Sequence, residues 1–423
     1  MPMKLMICSV VLAGGSVAFG AELLVPEQYT EINSAIFAAS NGDTVSIAQG
    51  TYGPPSWGGA VADLSGKQLN LVAREGPGTV TISGGDTWIG ILVSGGASSG
   101  SIIDGLTVVN ASPGIWLYST SVELQDVTII GCSFQSGGGL KVQEGGQVTY
   151  RGGAIYNCTA TSAGGGVCVE SGSALLMHDT LIQFNQAVFG GGGAYVDSAY
   201  LEMSKCDFVQ NSANGPFAFG GGLNVDRSGG AAFLTGCNLI GNQAPYGGGI
   251  YVAEIAHSVY LSGCFLSLNQ ASSGGGLCAL APMYMELCVL VDNQAAEYGG
   301  GVYAAAGGVV DGCEFVANES DNGAALRSNS LPSNPVDLSW NIFCADPPSS
   351  ETVTGTWADG GHNVWACVCP ADVNADDQVQ AEDLMQMLRW FGASCVQCQF
   401  DLDDDEVVSV SDLLLLLDTW GPC

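Results

Sequence analysis

Positive charge is what this 423-residue sequence has least of: 9 Lys and Arg stand against 41 Asp and Glu, a net charge of −32. A nucleic-acid binder needs a basic footprint, so that role is excluded. An anionic membrane surface is an equally poor partner. Histidine is scarce as well, and none of His178, His257 and His362 has an obvious sequence partner. Charged residues make up 12% of the chain and hydrophobic residues 47%, so a large core is possible and bulk disorder is not expected. Beyond the N-terminus no segment is long and apolar enough to span a bilayer.

The N-terminus has the layout of a secretory signal over residues 1–20. Lys4 forms the positive region, Leu5 to Phe19 is apolar, and Ala18 and Gly20 are the small residues of a cleavage site. The run is too short for a membrane anchor, and Cys8 lies too early for a lipoprotein. A secreted, extracellular or cell-surface protein is therefore expected, with no membrane span once the signal is removed. Of 16 cysteines, one leaves with the signal; the other 15 are odd in number, so at least one thiol is unpaired or pairs between molecules.

Internal repetition dominates the middle of the chain. Glycine triplets begin at Gly137, Gly164, Gly191, Gly220, Gly247, Gly274 and Gly299, at intervals of 27, 27, 29, 27, 27 and 25. Asn157, Asn185, Asn211, Asn242, Asn269 and Asn293 precede most of them, and Asn318 starts one more. Cys206, Cys237, Cys264, Cys288 and Cys313 each stand five residues before an Asn. Hydrophobic residues come in short period-2 runs such as "VYLSGCFL" and "GIYVA", which is strand periodicity. Repeats of this length made of short strands suit a parallel β-helix, each repeat one coil stacked on the next at ~4.8 Å. In such a stack the Asn forms a turn ladder, tolerating left-handed angles and bonding its neighbour's amide. The glycines allow positive φ and close contact between coils. The cysteines form an inward column of free thiols, because parallel side chains hold Cβ atoms farther apart than the ~3.5–4.5 Å a disulfide needs.

These segments resemble known repeats. "GGGI", "GGAI" at 152–155 and "FVQN"/"FVAN" look like those of polymorphic outer-membrane-protein-type β-helices. The segment "YTEINSAIFAASNGDTVSIAQGTY" (29–52) looks like the entry to pectin-lyase-like right-handed β-helix proteins, where a short helix, here Ile32 to Ala39, covers the first coil. The resemblance implies a mainly β fold over 21–345; unlike the polymorphic proteins, the chain does not end in a membrane barrel.

A turn-rich connection is expected over 346–368, and the pattern changes after it. Two copies align at an offset of 29: Cys369/Cys398, Asp372/Asp401, Asn374/Asp403, Asp376/Asp405, Asp383/Asp412 and Gly392/Gly421. Oxygen side chains at loop positions 1, 3, 5 and 12 suit Ca²⁺, with backbone carbonyls of Gln378 and Val407 at position 7. Leu384, Met387, Leu388, Phe391 and Leu413, Leu416, Leu417, Trp420 then give two helices with matching apolar faces. The pair resembles a dockerin module over 369–423. The resemblance implies Ca²⁺ ligation by Asp372, Asn374, Asp376, Gln378, Asp383 and by Asp401, Asp403, Asp405, Val407, Asp412. It also implies a cohesin-like or surface-anchoring partner. Asp377 and Glu406 occupy the position where such loops prefer Gly. The symmetry of the cysteines suggests Cys369–Cys395 and Cys398–Cys423, with Cys344–Cys367 closing the connection, among 15 possible pairings of six cysteines.

Catalytic equipment is sparse in the coils. A lyase needs a base and cations against a uronate, but the coil cations are scattered singly. Adjacent paired acids are absent, although sequence leaves open carboxylates brought together from different coils. No phosphate loop follows the triplets, which lack Lys-Ser/Thr. Four residues past each triplet's first glycine stand Lys141, Cys168, Tyr195, Asn224, Tyr251, Cys278 and Tyr303, so Tyr195, Tyr251 and Tyr303 make a candidate sugar-stacking ladder or ordinary strand tyrosines. Glu144, Glu170, Asp197, Asp226 and Glu254 make a candidate cation-binding edge or a solvated turn. The reading is a secreted, non-catalytic, carbohydrate- or surface-associated binding protein with a Ca²⁺-dependent docking module. The alternative is a polysaccharide lyase or glycoside hydrolase acting on an acidic polysaccharide.

Overall fold

The computed structural model describes residues 20–227, 229–344, 352–365, 378–389, 391–392, 402, 407–418 and 421–422. The expected signal segment, all but Gly20, lies outside them.

The period-2 runs form strands that pair only in parallel across the coils, in one 14-stranded sheet (I) and two 12-stranded sheets (II and III). One coil shows the path. Ala194–Asp197 lies in sheet III, Tyr200–Ser204 in sheet I and Asp207–Val209 in sheet II. A short segment, Ser212–Ala213, then leads to the next glycine triplet. This is a parallel β-helix. Alternate residues point inward, so Val196, Leu201, Met203 and Phe208 are buried in one continuous core. Helix α1 (Ile32–Ala38) adds Ile32, Ala35 and Ile36 to that core. Lys67 Nζ donates to the carbonyls of Ile36, Phe37 and Ala39 at 2.9, 2.6 and 2.7 Å, at the negative end of this helix.

Two sharp corners follow one rule: a left-handed residue, then a residue pointing inward. Between sheet II and the short segment, Phe184, Gln210, Leu268, Asp292 and Ala317 have φ between 48 and 57°. The Asn follows each. The left-handed position is therefore not the ladder Asn, contrary to the expectation from the repeat pattern. Asn157, at φ 56°, is the left-handed residue itself, and Cys158 fills the ladder position in that coil.

The ladder is continuous from Asn185 to Asn318. Asn242 Oδ1 accepts the Asn211 backbone N–H and Nδ2–H, both at 3.0 Å. Asn242 Nδ2 in turn donates to Phe208 O at 2.9 Å and Asn269 Oδ1 at 3.1 Å. The triplet packs against this ladder. Gly247 has φ 64°, which a side chain rarely adopts. A Cβ on Gly248 would stand 2.5 Å from Gln270 O and 2.6 Å from Gly275 O. A Cβ on Gly249 would meet Gly276 O at 2.5 Å and Asn269 Cγ at 3.3 Å.

The corner between sheets I and II carries the cysteine column. Cys206, Cys237, Cys264, Cys288 and Cys313 are buried and free, as are Cys132, Cys158, Cys168 and Cys278. Neighbouring thiols together with burial hold Cys237, Cys264 and Cys288 up at about 12, so they stay protonated and inert. At Asn341 and Asn363 the column changes to asparagine, with Asn341 Nδ2 donating to Asn363 Oδ1 at 3.1 Å.

The solenoid also runs farther than expected. Val353–Gly355 pairs in sheet III and Trp357–Gly361 in sheet I, so coil structure enters the stretch assigned to a linker. The expected boundary at 345 is corrected accordingly; the Asn363 rung is inconspicuous in the sequence because no glycine triplet accompanies it.

Asn242→Ala removes one acceptor and two donors from a buried ladder, and we expect about 2–4 kcal/mol of lost stability by urea unfolding. Gly248→Ala should cost at least as much, since backbone oxygens cannot retreat from its Cβ. Alkylation at neutral pH should leave all nine coil cysteines unmodified in the native protein and label all nine in denaturant; native labelling at Cys264 would contradict the burial.

Candidate functional site

Sheet III presents the expected tyrosine column in register: Lys141, Cys168, Tyr195, Asn224, Tyr251, Cys278, Tyr303 and Arg327 are successive Cα partners. The column does not form a uniform exposed ladder. Tyr251 is only 8% exposed, roofed by Phe219, Tyr246 and Leu280. Its ring centroid lies 4.5 Å from that of Phe219, which is 5.6 Å from Tyr246. Tyr303 pairs with Tyr298 at 6.0 Å. These five rings, with Glu297, Leu280, Ser273 and Cys278, line a cleft of about 320 Å³. Burial, then the nearby Cys278 thiol, pushes the Tyr251 phenol up, so it is a neutral donor.

Phe219, Tyr246 and Tyr298 do not stand out in the sequence, although each directly precedes a triplet. The bridges Phe219↔Tyr246↔Ser273 and the pair Ser273↔Tyr298 show that this position forms a column of its own. Asn224, in the rung before Tyr251, is buried, and its Oδ1 has no hydrogen-bond partner among the described residues.

Tyr195 stands apart from the cleft. Its hydroxyl donates to Asp226 Oδ2 at 2.9 Å. It belongs with the acidic residues, of which only Glu170, Asp197 and Asp226 share a column. Glu144 sits one residue later, at φ 56°, and Glu254 falls in the turn after Val252. Lys141 Nζ lies 3.3 Å from Glu170 Oε2, and Arg227 Nε lies 3.3 Å from Asp197 Oδ2. Each acid of the column thus has a partner within the fold, and the five acids do not line up as one edge.

A second aromatic row lies on sheet I. Phe233, Tyr260 and Tyr284 stack at 4.7 and 4.6 Å, with interplanar angles of 2° and 5°. Their faces cover one another, so the row shields the sheet and offers mainly ring edges.

Of the expected Ca²⁺ ligands, Asp372, Asn374, Asp376, Asp401, Asp403 and Asp405 lie outside the described residues, as do Cys367, Cys369, Cys395, Cys398 and Cys423. Cys344 is not one of the free thiols. The helices α2 (Ala381–Leu388) and α3 (Val410–Asp418) are present, and the backbone of Gln378 opens a strand, Gln378–Val379, paired antiparallel with Gly421–Pro422. Val379, Met387, Val408 and Leu416 form their core with Leu384, Leu402 and Leu413. Leu388, Phe391 and Leu417 are exposed, so the expected apolar faces bury only in part. Asp383 and Asp412 are fully buried. Asp383 Oδ2 accepts Gln380 N–H at 2.9 Å; Asp412 accepts the N–H groups of Leu402 and Ser409, both at 2.6 Å. Val407 is partly exposed just before α3.

The sequence comparison agrees with the coil architecture. A sequence model of the right-handed β-helix region matches residues 79–229, about a third of the chain. Among solved structures the chain is similar to pectate lyase Pel9A, at 14% identity over 82% of this chain and 76% of that one, with a TM-score of 0.38. A PL6 alginate lyase in complex with a trisaccharide is similar at 10% identity, 82% and 89% coverage and TM-score 0.32. So is ORF18 of Geobacillus virus E2, at 13% identity, 74% and 57% coverage and TM-score 0.35. No curated protein matches the sequence. These likenesses concern the right-handed parallel β-helix.

Proposed function

We propose that this is a secreted, non-catalytic β-helix that binds carbohydrate through the sheet III cleft and is docked at the cell surface or on a partner by a Ca²⁺-dependent dockerin-like module. The cleft is the observation that carries the reading. It joins Tyr251 and Tyr303 with three further rings and the Glu297 carboxylate, a mixture of apolar faces and hydrogen-bonding groups suited to a sugar. Helix α1 serves as the lid of the first coil.

The lyase or hydrolase reading finds less support. Among the described residues no Lys or Arg lines the cleft. Arg74, Lys141, Arg151 and Arg227 pair with acids, Lys67 binds helix carbonyls, and Arg327 Nη1 donates to Asn322. A uronate polymer would meet the Glu297 carboxylate with no cation in the cleft lining, Arg327 standing one rung beyond Tyr303.

The Ca²⁺ reading is supported by Asp383 and Asp412, whose carboxylates are buried at equivalent places in two repeats. Asp412 reaches back to the amide of Leu402, ten residues earlier, so it faces the loop it closes. Each carboxylate accepts backbone N–H bonds, and carboxylate oxygens held this way at the end of an acidic loop suit a hard cation. The ion would be held by Asp372, Asn374, Asp376, the Gln378 carbonyl and Asp383, and by Asp401, Asp403, Asp405, the Val407 carbonyl and Asp412. A cohesin-like protein is the proposed partner.

A polysaccharide panel scored for retention and for cleavage tests the first part. Retention without cleavage is expected, weakened roughly tenfold or more by Tyr303→Ala or Tyr298→Ala, from the loss of one stacked ring; product formation would favour the enzyme. For the module, calorimetry on the full chain should show Ca²⁺ uptake, lost from one loop each in Asp383→Ala and Asp412→Ala. No heat at millimolar Ca²⁺ would refute it.

A further inference from the structure

Four repeats read Asn-Gln-Ala: 185–187, 242–244, 269–271 and 293–295. The fold accounts for two of the three residues. The Asn points inward as a ladder rung, and Ala187, Ala244 and Ala295 are buried where the chain passes beneath its own surface. The Gln points outward, a position where folding would accept many polar residues. Its column runs Gln186, Ser212, Gln243, Gln270, Gln294 and Glu319 by successive Cα pairing. Stacked glutamines can bond one another as an amide ladder, but among the described residues the side chains of Gln186, Gln243 and Gln270 make no such bond. The side-chain bond found in this column is Gln294 Nε2 to Glu319 Oε2 at 3.3 Å.

Gln243, Gln270 and Gln294 stand along a trough of about 800 Å³ whose floor is Ala213, Ala244, Ala271 and Ala295. The trough crosses five coils, so at ~4.8 Å per coil it is ~19 Å long and parallel to the solenoid axis. Its far wall holds Asn214, Pro245, Ser272, Ala296 and Asp321. Among the described residues no Lys or Arg lines it; Glu319 and Asp321 close one end. It is separate from the aromatic cleft but shares its rim, since Pro245 lines the trough and Tyr246 the cleft.

We infer that the trough binds a neutral, hydroxyl-rich polysaccharide lying along the solenoid axis, one sugar per coil. Each uncommitted amide offers two donors and an acceptor, which match hydroxyls that also do both. The carboxylates and the missing cations oppose a polyuronate or another polyanion. Register decides against an extended polypeptide, which rises ~3.4 Å per residue and falls out of step with ~4.8 Å rungs within two coils. An extended chain of pyranose rings advances by about one rung per sugar, so each coil repeats the same contact. The inference rests on the carbohydrate-binding reading and names for it a second site and a charge class.

The test uses the full chain and calorimetry with neutral β-linked gluco-, xylo- and manno-oligosaccharides of two to six sugars, polygalacturonate oligomers, and an extended Ser/Thr-rich peptide. Melting curves check that each variant is folded. The expected result is binding of a neutral series that tightens with each sugar up to about five, set by the five coils. Polygalacturonate and the peptide should not compete. Gln270→Ala with Gln294→Ala should weaken the hexasaccharide at least tenfold, from the loss of two hydrogen-bonding side chains. Ala271→Trp, which fills the floor, should abolish the length dependence. If glycan binding is lost with Tyr303→Ala yet unchanged in both trough variants, the trough inference falls and the cleft reading stands. If the peptide or polygalacturonate binds in the trough, the charge class or the register argument is wrong. If no glycan binds at millimolar concentration, both readings fall.

Discussion

The distance between neighbouring coils governs this molecule. Parallel backbone hydrogen bonds fix it at ~4.8 Å, and every corner must fit within that rise. At the tightest corner the solution is a clasp of asparagine against glycine. Asn242 spans to the coils on both sides through hydrogen bonds of 2.9–3.1 Å. In the triplet of the same coil, Gly248 and Gly249 lack the Cβ atoms that would strike the next coil's carbonyl oxygens at 2.5 Å. Neither half works alone. A bulkier third triplet position would press on Asn269 Cγ, and a corner without the amide would leave buried backbone groups unpaired. The 62 glycines carry an entropic cost, which the continuous interior of Val, Ile and Leu must offset.

Much of this is written in the sequence because the coil repeats. A period near 27 with Asn and Gly at fixed places specifies coil, corner and rung together, and the inward cysteines follow from spacing alone. The helix at Ile32–Ala38 is legible only through the resemblance of its segment to the entry of pectin-lyase-like β-helices. What stays hidden depends on neighbours several dozen residues away. Tyr251 reads as an exposed strand residue, but Phe219 from the previous coil covers it. Glu170, Asp197 and Asp226 read as a cation-binding edge or a solvated turn, but Lys141, Arg227 and the Tyr195 hydroxyl reach them from adjacent rungs. A shift of one residue at the corner decides whether Asn157 is a rung or a turn, and the Asn alone does not show which. The coil through Trp357–Gly361 is concealed because its strands lack the triplet.

The shortage of cations is a structural fact as much as a compositional one. Most of the coil's basic groups are drawn into local tasks: Arg74 holds Glu27 at 2.7 Å, Lys67 sits on the end of α1, and Lys141 and Arg227 pair with acids of the column. Among the described residues no Lys or Arg lines the cleft or the trough; Arg327 stands one rung beyond Tyr303 and is held by Asn322. Proton abstraction next to a carboxylate and neutralisation of the resulting charge both need such groups in the site.

A repeated coil also separates what the fold needs from what a ligand needs. Inward positions are constrained along the central rungs: Asn at one corner, Cys at the other, mostly aliphatic side chains between them. Outward positions are free, so similarity there reflects something else. The outward side of sheet III varies from rung to rung, with Lys141, Cys168, Tyr195, Asn224 and Tyr251 in successive coils. That variation builds one local cleft with a distinct shape. The outward Gln beside the Asn ladder recurs instead, giving a surface without a unique centre. A discrete cleft suits a short glycan segment, whereas a periodic trough suits a chain whose own repeat matches the coil. Because both lie on one rim, a polymer held along the trough could present a side branch or a chain end to the rings, and the two surfaces would then act on one ligand.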